Sequence, residues 1–512
     1  MIGRSRFAFQ CKRQLMMVAH ASSVAAPMQQ TTPRPYTDIP GPKPLPLIGN
    51  AWRFLPFIGT FNTSDMMAWC TDLRTMYGDI VRLSGLPGRK DMVFVYNPDD
   101  IENVLRNEGP WPERIVLDSM QYYRSHVRAD FFKGNQGLAN ENGEKWHQAR
   151  TIVNQPMMQP RVAKQYVPKI DQVAIDFVQR MKELRNEQNE LPADFKNELH
   201  KWALESIALV ALDTRLGCLE PNLAPDSDPQ RMIHAAIAIF QCAFDLDMKI
   251  PIWKLLSTPT WRNFVKQCDA FVEIALKYVE HAQQSMQSEA STEDMSVLQN
   301  ILQRDPDPKR AVVMAIDIMV AGIDTTSNTA AFLMYHLAKN PEKQERLFEE
   351  LCKIMPDTEQ PITPQMLDEM KYLKACQKEA MRLSPIGGGT ERTSVREMVL
   401  SNYVVPKGVE VMLLSGVIGR LDQYFPDADK FIPERWLRGP SQHKNHPFVY
   451  LPFGFGPRQC VGMRFANLEL ETLVARVFRD YRLEWHHDDM KYASQLLNMA
   501  ASPLQYTMIN RV

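Results

Sequence analysis

Apolar positions along this chain recur mainly at helical intervals, and the plainest case is the stretch 311–337. It contains no proline, and from Ala311 to Ile323 only Asp317 interrupts the apolar run, which predicts a helix buried on nearly every side. Its length and its interruption argue against a bilayer span. Between Tyr77 and Tyr96, short apolar runs broken by Gly and Asp predict strands at 79–83 and 91–96 of a small sheet. Residues 232–264 are apolar and aromatic, with Phe240, Phe244, Ile250, Ile252, Trp253 and Trp261, a pattern that suits ordinary helix core. Prolines crowd 39–50 and fix an extended lead-in. The expected fold class is mainly α with a small β region.

Composition changes this picture little. At 512 residues and 45% hydrophobic the chain has material for a large core, and length alone would allow about two to four domains. Lys+Arg 59 against Asp+Glu 60 leaves no global charge that points to nucleic acid. Eight cysteines are scattered without a C-x-x-C pair, so no disulfide scaffold and a reducing compartment are expected. Residues 1–32 stand apart: Arg4, Arg6, Lys12 and Arg13 lie among Ser, Thr and Ala, and no acidic residue precedes Asp38. That composition predicts a cleaved mitochondrial transit peptide, with a disordered cytosolic tail as the alternative, and leaves 33–512 as the folded part.

Candidate chemistry centres on residues 453–462, Phe-Gly-Phe-Gly-Pro-Arg-Gln-Cys-Val-Gly. Gly456 and Gly462 permit backbone angles closed to other residues and would let peptide N–H groups approach Cys460. Arg458 adds a fixed positive charge, and thiolate is the metal-ligating form of cysteine. The run Phe-x-x-Gly-x-Arg-x-Cys-x-Gly resembles the haem-binding loop of the cytochrome P-450 superfamily, with every defining position occupied. Four further motifs follow the order of that family. Trp146 and Arg150 form W-x-x-x-R, which on a helix puts indole and guanidinium on one face, to hold one anion or simply to stack. Ala321-Gly-Ile-Asp324-Thr325 lies in the long helix; Ala321 and Gly322 leave room for something flat or small, and a Thr hydroxyl bonding back to the carbonyl four residues earlier would loosen the ladder into a groove. Glu379 and Arg382 form E-x-x-R, and Pro433-Glu-Arg435 supplies a second arginine.

The resemblance implies the family's fold, with haem b between the long central helix and the cysteine loop, in one haem-thiolate domain. It implies that Cys460 ligates the iron and that Phe453, Gly454, Arg458 and Ala321 contact the cofactor. Trp146 and Arg150 would hold one propionate and Arg392 the other. Thr325 would order a water where dioxygen sits, Asp324 would feed protons, and Glu379, Arg382 and Arg435 would form a buried structural triad. An axial thiolate pushes electron density into haem iron and favours O–O cleavage, so the implied activity is mono-oxygenation of an apolar small molecule, a steroid or xenobiotic. Lys374, Lys378 and Arg382 recur every fourth residue. In mitochondrial members of the family, lysines matching Lys374 and Lys378 meet an acidic ferredoxin served by its reductase, and Arg464 would extend the patch. The resemblance is to a mitochondrial-type, possibly insect, member on the matrix side of the inner membrane, and it implies that residues 232–264 form a lid over the active site that touches that membrane as an amphipathic element. The aromatic residues of the loop 111–143, Tyr122, Tyr123, Phe131 and Phe132, suit core packing and the roof of an apolar substrate pocket equally. Two other functions share part of the pattern. A haem-thiolate isomerase or peroxide-rearrangement enzyme needs no proton delivery, so Asp324 and Thr325 argue against it; a non-enzymatic haem sensor is the other.

Overall fold

The computed structural model describes residues 32–511, apart from 56, 63, 87, 289–294, 306 and 440–444. The expected transit peptide, but for its last residue, lies outside the described residues. Among the described residues helices dominate, and ten short strands are set among them: β1 Ile80–Leu83, β2 Met92–Val95, β3 Thr390–Thr393, β4 Met398–Leu400, β5 Tyr403–Val405, β6 Glu410–Leu413, β7 Tyr481–Glu484, β8 Tyr492–Ser494, β9 Asn498–Ala500 and β10 Thr507–Asn510. The main sheet has the order β1-β2-β6-β3. β2 pairs parallel with β6, Val93 opposite Val411, and β3 closes the edge antiparallel with Arg392 opposite Val411. Val93, Phe94 and Val95 are all buried, as expected of an inner strand covered on both faces. The two expected strands are thus β1 and β2, each one or two residues shorter than the sequence pattern. Arg82 of β1 donates its N–H to the Pro40 carbonyl at 2.8 Å, so the proline-rich segment runs beside the sheet.

The long helix spans Pro308–Lys339, beginning with Asp307 capping the Lys309 N–H and proline in the first turn, a favourable start on both counts. At 32 residues it is long and apolar enough to cross a bilayer by length and composition, with 67% of its most apolar stretch buried inside the fold. Burial, and not shortness as the sequence suggested, is what marks it as a core helix. Its most extensive neighbour is the helix Phe195–Leu212. A Cβ on Gly322 would lie 2.5 Å from Ile207 Cγ1 of that helix, so Gly322 serves the close approach of two helices rather than a ligand. The central helix is continuous through this point; no break opens a groove there.

Candidate active site

The cysteine loop is held by its own backbone. Gly454 and Gly456 both have φ of 72°, and a Cβ at Gly456 would come 2.5 Å from Glu108 Oε1, so glycine is required there for conformation and for space. Gly462, by contrast, has φ of −83°, a value open to any residue. Its contribution is its N–H: the Cys460 sulfur accepts from the amides of Gly462 and Met463, at the start of the 18-residue helix Met463–Asp480. Burial pushes the thiol above its usual range, opposed first by the Gly462 amide, then by Arg150, the Met463 amide and Arg114. Cys460 nevertheless keeps accessible surface. Dense surroundings and an open sulfur agree if the atom borders a recess within the fold. A metal cation there would complete the deprotonation that the amides and arginines begin.

Four arginines stand around this loop. Arg458, expected to act on the thiolate, instead donates to the carbonyls of Pro112 and Glu141, each at 2.9 Å, and lies over the Trp146 ring at 3.9 Å from its centre. Arg150 donates Nη2 to the Gln459 carbonyl at 2.7 Å, while its Nε is buried without a partner. Trp146 and Arg150 therefore share a face, as the spacing implied, but each already grips the cysteine loop. Arg392 on β3 ion-pairs with Glu108 and donates to Thr390, the Glu391 carbonyl and the Phe455 carbonyl, leaving little of its fork for a ligand. Arg114, which the sequence did not single out, donates Nε and Nη2 to the Ala139 carbonyl.

These guanidinium groups feel one another. Burial and the neighbouring Arg114, Arg392 and Arg150 push Arg458 down to about 9. Burial also lowers Arg150, to about 10, with Cys460 opposing and Arg114 adding to the effect. Two carboxylates stand nearby, Glu108 against Arg392 and Arg458, and Glu391 against Arg392 and Arg114. Burial pushes both carboxyls up, Glu391 to about 7, so the four guanidinium groups are left with at least two positive charges uncompensated. A group that carries two carboxylates and a thiolate-binding metal fits that deficit, and haem b is such a group.

On the central helix, Ala321 is exposed in a stretch otherwise mostly buried, as a residue lining an internal space would be. Thr325 Oγ1 donates back to the Ala321 carbonyl at 2.7 Å. Asp324 is buried; its Oδ1 lies 2.9 Å from His200 Nε2 and its Oδ2 has no partner. One turn before Ala321, Asp317 ion-pairs with Arg124 of the loop 111–143, and a Cβ on Gly137 would collide with both. Tyr123, Phe131 and Phe132 of that loop are buried in the core, whereas Tyr122 is 43% exposed, so most of the loop aromatics pack rather than line a pocket. The segment 232–264 forms the helix Asp228–Met248, a single turn Ile252–Lys254 and the start of the helix Pro259–Ser288. Phe244 and Trp253 are buried there, but Ile250, Ile252, Leu255 and Leu256 are exposed, as are Leu55 and Phe57. A cavity of about 450 Å³ lies beside these side chains, lined by Phe54, Trp69, Leu86, Met92, Phe244 and Trp253 among others.

Glu379 gathers the scaffold. Both its oxygens are taken by Arg382 at 2.9 and 2.8 Å, and it accepts further from Arg435 Nε at 2.9 Å, Trp436 Nε1 at 2.8 Å and the Ile432 N–H. Trp436 was not foreseen. Arg382 is buried, so it belongs to this network and not to the surface stripe with Lys374 and Lys378. Of the surface cations, Lys378 is exposed, Lys374 donates to the Leu367 carbonyl and lies 3.7 Å from Glu471, and Arg464 is tied to the Met158 carbonyl.

Comparison with known proteins gives the same picture. The profile of the family described as Cytochrome P450 matches residues 39–508. Probable cytochrome P450 301a1, mitochondrial, of Drosophila melanogaster is 39% identical over 516 residues, which cover 98% of this chain and 93% of that protein. Probable cytochrome P450 12b2, mitochondrial, of the same species is 39% identical, covering 88% and 85%. Cytochrome P450 12b1, mitochondrial, of Drosophila acanthoptera is 38% identical, covering 92% and 87%. A thiol under two amide donors, a two-charge deficit beside it and a match along nearly the whole chain lead to one conclusion: the chain belongs to the cytochrome P450 family, the haem b monooxygenases.

Proposed function

We propose that this P450 inserts one oxygen atom from O2 into an apolar steroid or xenobiotic, with electrons from a mitochondrial ferredoxin and its reductase. The observation that carries the site assignment is the arginine cluster around Cys460, whose uncompensated charge suits two propionates. Cys460 would ligate the iron. Arg150, with its unpartnered Nε, and Arg114 would take the carboxylates, while Arg458, Arg392 and Trp146 chiefly hold the walls of the site and Phe453 and Gly454 the loop beneath. The bound haem supplies activation of dioxygen. What the chain itself supplies is a hydroxyl at Thr325, a buried acid at Asp324 to hold and release protons, and the small side chain of Ala321 that leaves space beside them.

Several of the relatives are named mitochondrial, which together with the basic, acid-free residues 1–32 supports matrix localisation and a ferredoxin donor. Lys378 is the exposed cation of the docking patch, its ammonium 6.0 Å from the centre of the Trp436 ring; Lys374 must give up Glu471, and Arg464 the Met158 carbonyl, to join it. The exposed side chains at Leu55, Phe57, Ile250, Ile252, Leu255 and Leu256 support contact with the inner membrane beside the cavity mouth. The experiment is reconstitution of the purified holoenzyme with a mitochondrial ferredoxin chain and steroid and xenobiotic panels. NADPH-dependent oxidised product is expected. Turnover without reductant would favour an isomerase, CO binding with no product a sensor, and support from a microsomal flavoprotein reductase alone would overturn the ferredoxin assignment.

A further inference from the structure

Among the described residues, the carboxylate of Asp324 has one hydrogen-bond partner, and it comes from a different helix. His200 and Asp324 are both buried, their Nε2 and Oδ1 are 2.9 Å apart, and Asp324 Oδ2 is buried with nothing bonded to it. With Asp324 ionised the carboxylate only accepts, and His200 Nε2 carries the hydrogen. The approach that makes this contact possible is built in: Gly322 sits against Ile207, two turns beyond His200 on the same helix. One turn before His200, Lys196 is half-buried and donates to the Ala500 carbonyl at 2.8 Å. Burial pushes its ammonium down while Asp324 pulls it up. The Ala500 N–H in turn meets Asn328 Oδ1, and Asn328 Nδ2 donates to the Asp324 carbonyl at 2.8 Å. The remaining charges near His200 on its own helix, Glu198 and Lys201, pair with each other, and Glu198 also with Arg180.

We infer that His200 is the positioning residue for the acid: it fixes Asp324 through Oδ1 and so makes Oδ2 the atom at which protons are held and released. This rests on the role of Asp324 proposed above. A buried carboxylate stripped of its donor either takes up a proton or turns toward another cation, here Lys196, and in both cases leaves its working position. A role in positioning requires a donor at 200 and not a titrating ring, so an amide serves in its place.

The test compares His200→Leu, His200→Gln and Asp324→Asn in the full holoenzyme with its ferredoxin chain, at equal haem content and with an unchanged ferrous–CO absorption as the control for folding. Product formed per NADPH consumed should fall roughly tenfold or more in His200→Leu, in line with a misplaced reacting group, and should be largely kept in His200→Gln. The second readout is independent of turnover: the ring 15N resonances of His200 in the diamagnetic CO form should move in Asp324→Asn. Unchanged coupling in His200→Leu, equal loss in His200→Gln and His200→Leu, or a His200 resonance indifferent to Asp324→Asn would overturn the inference. If Asp324→Asn uncouples and His200→Leu does not, the acid keeps its role and only the histidine loses its own. If Asp324→Asn leaves coupling intact, the role of the acid fails, and the positioning role with it.

Discussion

Arg458 and Trp146 form one half of a clasp, the guanidinium carbon 3.9 Å from the ring centre, and Arg150, one turn along from Trp146, forms the other by donating to the Gln459 carbonyl. Each side of the contact thus reaches across to the other: the loop sends an arginine onto the helix, and the helix sends one back to the residue before Cys460. Cation–π attraction over a buried ring and a charge-assisted hydrogen bond combine here. The arrangement makes the W-x-x-x-R helix part of the mounting of the thiolate.

Trp146→Ala should therefore cost about 3 to 5 kcal/mol of stability as a large buried aromatic, and the freed Arg458 should lower haem retention beyond that. Trp146→Phe keeps a π-face and should hold more haem than the alanine variant. Thermal unfolding together with the haem-to-protein absorbance ratio measures both.

Glu379→Ala leaves Arg382 and Arg435 buried and unpaired and strips Trp436 Nε1 and the Ile432 N–H of their acceptor. Removing one partner of such a network costs about 3 to 5 kcal/mol. Purified variant should carry little haem, and denaturant unfolding should show an earlier midpoint; a normal midpoint with full haem would contradict the network.

Gly322→Ala places a Cβ 2.5 Å from Ile207 Cγ1. The crowding costs about 1 to 3 kcal/mol, and the better helix propensity of alanine, about 1 kcal/mol, offsets only part of it. Combining it with Ile207→Ala should lose less than the two single changes summed, a coupling that a double-mutant cycle reads directly.

Glu469 offers a pH-dependent case. It is buried between the last long helix and the central helix, hydrogen-bonded to Thr326, with Oε1 unpartnered, and burial pushes it up to about 8. Its folded value lies above the unfolded one, so between about pH 4.5 and 8 the native state holds the extra proton, and stability falls as pH rises through that window, by at most about 1.4 kcal/mol per unit. Glu469→Gln should flatten this decline and be the more stable protein near pH 8, as chemical denaturation across pH would show.

What the sequence by itself determined lies within reach of one helical turn or one tight loop. The cysteine loop, the Glu379–Arg382 pair, the Thr325–Ala321 bond and the two strands of the sheet all join residues close together in the chain, and side-chain direction at such spacing follows from backbone geometry alone. The structure decided which distant groups meet. Arg150 meets Gln459 across 309 positions, Arg392 meets Glu108 across 284, and His200 meets Asp324 across 124. It also turned Gly322 toward a helix instead of a ligand, took Arg382 out of the surface stripe and brought Arg114 into the site. No periodicity encodes such pairings, because they are set by how helices and sheet pack around a common core, and the charge that marks the cofactor site exists only once that packing has gathered four arginines around the cysteine loop, two of them acting on the sulfur itself.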